Sequence, residues 1–128
     1  MSHAKKFMAD VETVARTLGH AATDQLARKL RDLLERGGRL FLIGVCGNAE
    51  KNVSVNIIRA VDFAVSRGAE VYGIVGRDGG YTKQKGTLVV VSPTVAPDLV
   101  TPLAEAFQAV IRHCLASHPA LHVEPTKW

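Results

Sequence analysis

The sequence predicts a small α/β fold, a three-layer sandwich with a short parallel sheet preceded by two N-terminal helices. The first observation is that apolar residues fill 40–45, 71–75 and 88–91 continuously rather than alternately, which indicates strands covered on both faces. The second is that apolar residues recur at helical spacing before, between and after these runs. With 128 residues, the chain has the length of one domain with an ordinary core.

We expect a single shortened domain over 1–128, made of a helical N-terminal part (1–38), an α/β core (39–117) and an irregular tail (118–128). Right-handed crossover connections would give the three layers. Three strands are few for such a fold and leave the sheet edges exposed, which predicts a homo-oligomer.

The N-terminal part reads as two amphipathic helices. The first covers 4–18 and is ended by Gly19, while Thr23 caps the second and Gly37-Gly38 break it. Two helices exceed what one short sheet must cover, so we expect the first to pack against another subunit. The apolar positions are Phe7, Met8, Val11, Val14, Ala15 and Leu18 in the first helix, and Leu26, Leu30, Leu33 and Leu34 in the second.

In the core, a helix over 53–65 is ended by Arg67-Gly68. A polar connection with Tyr81, Lys83, Gln84 and Lys85 is expected between the second and third strands. Beyond them, Pro93 and Pro97 keep the chain extended, and Thr101-Pro102 are expected as the cap and first position of the last helix. The apolar stripe of that helix is Leu103, Phe107, Val110, Ile111, Cys114 and Leu115.

Composition excludes several classes of protein. The formal net charge is +4, but the basic residues are dispersed among acids, which argues against nucleic-acid binding. No apolar run reaches the roughly 20 residues of a membrane span, and 1–10 is not a secretory signal, so a cytoplasmic location is expected. Cys46 and Cys114 form no ligand cluster with the histidines, so we expect neither a metal nor a cofactor.

The loop that follows the first strand is the leading candidate site. Gly44 and Gly47 allow a phosphate to approach backbone N–H groups, and Asn48 can cap the helix that follows. The other interpretation is that these glycines only make a tight turn between strand and helix. The segments 76–81 and 92–101 also follow strands, so the three segments are expected to form one pocket for a phosphorylated ligand.

Other chemistries fit this loop less well. The GxGxxG pattern of dinucleotide sites and the GK[ST] of a P-loop are both absent. Cys46 at a helix N-terminus would have a lowered pKa and could act as a nucleophile. However, Asn52 stands where a cysteine phosphatase would need an arginine.

The last helix offers polar candidates. Glu105, Gln108 and Arg112 are three and four residues apart and share a face. That face is either solvated or turned toward a pocket of a partner subunit. In the second case, Glu105 and His113 are the candidates for acid–base catalysis.

These segments together resemble the sugar isomerase (SIS) domain family, closest to the phosphoheptose isomerases. The resemblance covers most of the chain and comprises the helices and GGRLFLIG strand of 11–44, the GNAEKNV loop of 47–53, the strand of 70–75, the GRDGG turn of 76–80 and LVVVSP of 88–93.

The resemblance also implies an internal deletion, because this chain joins the first strand directly to the end of the family's phosphate loop. Serines of that loop align with Gly44, Cys46 and Ala49, and Gln108 stands where the family has a histidine. The implied phosphate- or substrate-binding residues are Gly44, Cys46, Gly47, Asn48, Ala49, Asn52 and Gln108.

The resemblance therefore implies a phosphosugar-binding protein related to enzymes that isomerise sedoheptulose 7-phosphate. The family's catalytic glutamate helix is missing, which argues against isomerase activity in this form without excluding it. One alternative is a catalytically silent module that binds a phosphosugar or another protein. A second alternative is a minimal structural fold without a ligand.

Overall fold

The computed structural model describes residues 1–36, 42–43, 51 and 53–121, with backbone only at 42–43. Two N-terminal helices come first, as predicted, and helices and parallel strands alternate after them, with a helix between the second and third strands that was not predicted. The elements are α1 (His3–Thr17), α2 (His20–Glu35), β1 (Leu42–Ile43), α3 (Val55–Ser66), β2 (Tyr72–Val75), α4 (Gly80–Lys85), β3 (Leu88–Val91), a 3₁₀ turn (Pro97–Leu99) and α5 (Val100–Ala116).

The three strands form one parallel sheet in the order β1-β2-β3. Leu42 is in register with Tyr72, and Tyr72 with Leu88. Each connection between neighbouring strands contains a helix, α3 in the first and α4 in the second, as parallel pairing requires. Because the strands are added in one direction, crossovers of the same hand put both helices on one face.

Helices cover both faces of the sheet, which confirms the small α/β sandwich. Tyr72, Ile74 and Val90 pack with α1, α2 and α5 in the larger cluster of buried residues. Val71 packs on the opposite side with Val61 of α3. Side chains alternate between the faces of a strand, so the continuous apolar run over 71–75 supplies both clusters.

The N-terminal helices belong to this core. Val14 and Leu26 are fully buried, so α1 packs on its own chain, where packing against another subunit was predicted. Met8 is 66% exposed and Leu34 58% exposed, although both were assigned to apolar stripes. Thr23 does not cap α2, because the helix already begins at His20. Its hydroxyl donates instead to the carbonyl oxygen of Gly19 at 3.3 Å.

The polar connection between β2 and β3 contains a helix that the sequence did not predict, because 80–85 forms α4. Its first backbone N–H, that of Gly80, donates to Asp78 Oδ1 at 3.0 Å. Thr82 is fully buried against the sheet. A helix of six residues is too short for periodicity to reveal.

The beginning of α5 also differs from the prediction. Pro97 starts a 3₁₀ turn rather than an extended segment, and α5 follows at Val100, ahead of the predicted Thr101-Pro102. Pro102 is tolerated in the first turn, where a backbone N–H has no partner within the helix. Leu103, Phe107, Ile111 and Leu115 are buried as predicted, whereas Val110 and Cys114 are exposed.

Candidate functional site

A shallow groove lies where β2 ends against α5. Gly76 and Arg77 form one wall, and the first two turns of α5 form the other. The structure thus brings together two of the three segments expected at the carboxyl ends of the strands. The groove has a volume of about 50 Å³ and is open to solvent, so a ligand larger than a phosphate group would project from it. Its lining is Gly76, Arg77, Val100, Thr101, Ala104, Glu105 and Gln108.

The helical wall is a stripe with a spacing of three to four residues. Thr101, Ala104, Glu105 and Gln108 therefore lie along one side of α5, facing the end of β2. The buried Leu103 and Phe107 hold the opposite side against the sheet. The core side of the helix thereby orients the polar side toward the groove.

A tight turn holds the other wall in place. The backbone N–H of Gly79 donates to the carbonyl oxygen of Gly76 at 3.0 Å. Gly79 has φ +86°, and a Cβ there would lie 2.6 Å from Lys83 Cβ, so the turn requires glycine at this position. Arg77 has φ 55°, a left-handed conformation that is uncommon for a residue with a side chain.

The polar side chains of the groove have no protein partners. The side chains of Arg77, Thr101, Glu105 and Gln108 make no hydrogen bond or ion pair with any residue in the described ranges. The guanidinium of Arg77 can donate to an anion, and Glu105 and Gln108 can accept from hydroxyl groups. The groove therefore offers a cation, an acid and an amide to a small polar ligand.

The predicted catalytic pair is not brought together within one chain. Glu105 lies in the groove, whereas His113 is exposed in the last turn of α5. Eight helical residues correspond to about 12 Å along the axis. The two side chains are therefore too far apart to act on neighbouring carbons of one substrate.

The remaining predicted binding residues lie outside the described residues. Asn48, predicted to cap the helix that follows the loop, is one of them; that helix begins at Val55, with Ser54 in the N-cap position. The residues concerned are Gly44, Cys46, Gly47, Asn48, Ala49 and Asn52.

Arg77 and Thr101 belong to segments that the sequence placed near the site, but neither was singled out there. The sequence could have indicated Arg77, because it is a basic residue among glycines just after a buried strand. Thr101 was interpreted as a helix cap, so it was not recognised as part of the helix face that carries Glu105 and Gln108.

A larger cavity of about 320 Å³ lies among α1, α2 and α5. Its walls are mostly apolar. Val110 and Cys114 line this cavity, which explains why they continue the apolar stripe of α5 although they are exposed. Polar groups at this cavity are already engaged. The Nε2 of His20 lies 2.8 Å from the carbonyl oxygen of Ala15, and Asp24 pairs with His118 at 3.5 Å.

The described residues contain no group of three or more His, Cys, Asp or Glu side chains placed to hold a metal ion. None of the helices seen in 1–36 and 53–121 is long and apolar enough to cross a membrane.

Comparison with known proteins relates the chain to a sugar isomerase. It is 31% identical over 91 residues to a phosphoheptose isomerase of a Nitratiruptor species. The match covers 71% of this chain and 44% of the relative, so the chain spans less than half of the relative's length. No family model matches the sequence. The similarity supports a relationship with a sugar isomerase family.

Proposed function

We propose that this protein binds a phosphorylated sugar at the carboxyl end of its sheet. The observation that carries the proposal is the groove in which Arg77, Glu105 and Gln108 are all unpaired among the described residues. The similarity to a phosphoheptose isomerase supports a phosphosugar as the ligand. The predicted loop of 44–52 would add backbone N–H groups for the phosphate.

The side chains of the groove suit both parts of such a ligand. An arginine binds a phosphate through two parallel hydrogen bonds. A carboxylate accepts hydrogen bonds from the hydroxyl groups of a sugar, and an amide both accepts hydrogen bonds from them and donates to them. Since the groove is shallow, the middle of the sugar would remain in contact with solvent.

Isomerisation of sedoheptulose 7-phosphate is a second candidate function, favoured by the position of Glu105. The reaction moves a proton between neighbouring carbons, and an exposed carboxylate can serve as the base. Gln108 cannot supply the acid, because an amide does not titrate, and His113 lies too far along the helix. One base without a placed acid predicts slow turnover or none.

Two other functions remain as alternatives. A protein-interaction module would bind no sugar phosphate, and a minimal structural fold would bind no partner at all.

A homo-oligomer and a cytoplasmic location are part of the proposal. The exposed apolar side chains of Met8, Leu34, Phe63 and Val110 support self-association, which light scattering coupled to size-exclusion chromatography would test.

Thermal unfolding with and without sedoheptulose 7-phosphate tests the proposed function. At about 100 times the dissociation constant, a ligand stabilises by about 2.7 kcal/mol, which raises the melting temperature by roughly 5–15 °C. A shift without turnover supports the binding protein, and a shift with turnover supports the isomerase. Unchanged melting at millimolar ligand would leave the interaction module or the structural fold.

A further inference from the structure

We propose that Arg77 binds the phosphate of the ligand, while Glu105 and Gln108 bind its hydroxyl-bearing end. This inference rests on the proposed function and adds which residue selects a phosphorylated sugar over a free one. It concerns a turn of the chain separate from the glycine-rich loop that the sequence indicated.

The backbone gives no reason for an arginine at position 77. Arg77 has φ 55°, a region that glycine adopts freely and that is unfavourable for residues with a Cβ. The neighbouring positions 76, 79 and 80 of the same turn are glycines. A side chain kept at this position despite the cost points to a role for the side chain itself.

The fold described gives no reason for the charge either. Arg77 is exposed and pairs with no described carboxylate. The adjacent Asp78 accepts instead from the backbone N–H of Gly80. Glu105 lines the same groove without forming an ion pair with Arg77. The guanidinium is therefore available at the edge of the groove.

The charges also set the direction of the ligand. A phosphate is repelled by the carboxylate of Glu105 and attracted by the guanidinium, so it binds at Arg77. The hydroxyl groups then fall along the stripe of Glu105 and Gln108. The ligand class that this arrangement selects is a sugar phosphate monoester rather than a free sugar.

Calorimetric titration of matched variants tests this assignment. Sedoheptulose 7-phosphate, unphosphorylated sedoheptulose and inorganic phosphate are the probes. Arg77→Gln removes the guanidinium, and Arg28→Gln removes the same charge from an exposed position on α2 that has no partner in the described chain. We expect Arg77→Gln to weaken binding of sedoheptulose 7-phosphate by about tenfold or more, as for loss of a charged hydrogen bond. Arg28→Gln should change it less than about twofold, the level of a distant screened charge.

Two more variants keep the test informative. Arg77→Gly suits the left-handed backbone, so it should fold at least as well as the parent chain and lose the same affinity. Gln108→Ala should weaken sedoheptulose and sedoheptulose 7-phosphate equally, whereas the Arg77 variants should weaken only the phosphorylated probe.

Three outcomes overturn the inference. If both Arg77 variants bind sedoheptulose 7-phosphate like Arg28→Gln, the phosphate lies elsewhere and the proposed function still stands. If Arg77→Gln weakens free sedoheptulose as much as the phosphate ester, Arg77 does not select the phosphate. If the parent chain binds no sugar phosphate, the proposed function fails and this inference fails with it.

Discussion

Gly76 and Ala104 lie so close that a Cβ on Gly76 would be 2.7 Å from the Cβ of Ala104. Real Cβ atoms essentially never approach so closely, so the contact requires glycine at position 76. It sets how near the end of β2 comes to α5. The width of the groove therefore depends on the absence of one methyl group.

We expect Gly76→Ala to destabilise the protein by about 1–3 kcal/mol, the usual effect of overpacking a buried site. The added methyl group would push α5 away from β2 and alter the groove. Chemical denaturation measures the change in the free energy of unfolding. The double variant Gly76→Ala, Ala104→Gly should recover most of it, since it restores one methyl group at the contact.

Gly19→Ala is the matched control for that substitution. A Cβ on Gly19 would lie 3.5 Å from the Cβ of Ala22, an ordinary contact, and its φ of −68° suits alanine. We expect a change within about 1 kcal/mol. Equal losses from the two substitutions would contradict the importance of the Gly76–Ala104 contact.

Thr82→Val should stabilise the protein by about 1 kcal/mol, because it removes a buried hydroxyl that has no partner in the described chain. The same substitution at Thr87 should lower the stability of the protein. The Oγ1 of Thr87 accepts from the backbone N–H of Val71 at 3.0 Å, so its loss should cost about 1 kcal/mol. Urea denaturation of the two variants tests these two predictions. Loss of stability in both variants would show that the hydroxyl of Thr82 has a partner.

Tyr81 links α4 to α3, and its hydroxyl donates to Asp62 Oδ1 at 2.5 Å. This hydrogen bond, with smaller effects of desolvation and of the Asp62 charge, raises the pKa of Tyr81 above 10.0. The contribution to stability is therefore complete below pH 10 and is lost as the pH rises through the folded-state pKa. Tyr81→Phe should be less stable than the parent chain at pH 8, and the difference should shrink at alkaline pH. A constant difference up to pH 12 would contradict the prediction.

Glu105→Gln tests the isomerase candidate. If the parent chain converts sedoheptulose 7-phosphate, we expect the variant to lose about 100-fold or more of its turnover, as for removal of a general base. Glu12→Gln is the control, since Glu12 lies on α1 in an exposed pair with Arg16. Equal turnover in both variants would exclude Glu105 as the base.

The strands could be predicted because each one is a continuous apolar run with helices on both sides. The short α4 could not, because six residues give too few repeats of the helical period. Its inward residue, Thr82, is also polar, so no apolar stripe marks the segment. The exposure of Met8 and Leu34 could not be predicted, because helical spacing alone does not show which residues at the edge of an apolar stripe contact the core.

The sequence placed Glu105 and Gln108 together because their spacing of three residues fixes a shared face on any helix. It also paired Glu105 with His113, but a spacing of eight residues corresponds to more than two turns. The position of Arg77 beside α5 depends on a contact between segments far apart in the chain. Only the packing of Gly76 against Ala104 reveals it.

The same contact has a kinetic consequence. Both walls of the groove are fixed to one hydrophobic core, β2 through Tyr72 and Ile74 and α5 through Leu103 and Phe107. Within the described residues both walls belong to the same packed unit, so we expect ligand association at this groove to need no closure step. In rapid mixing, the observed rate constant should rise linearly with ligand concentration and show no plateau.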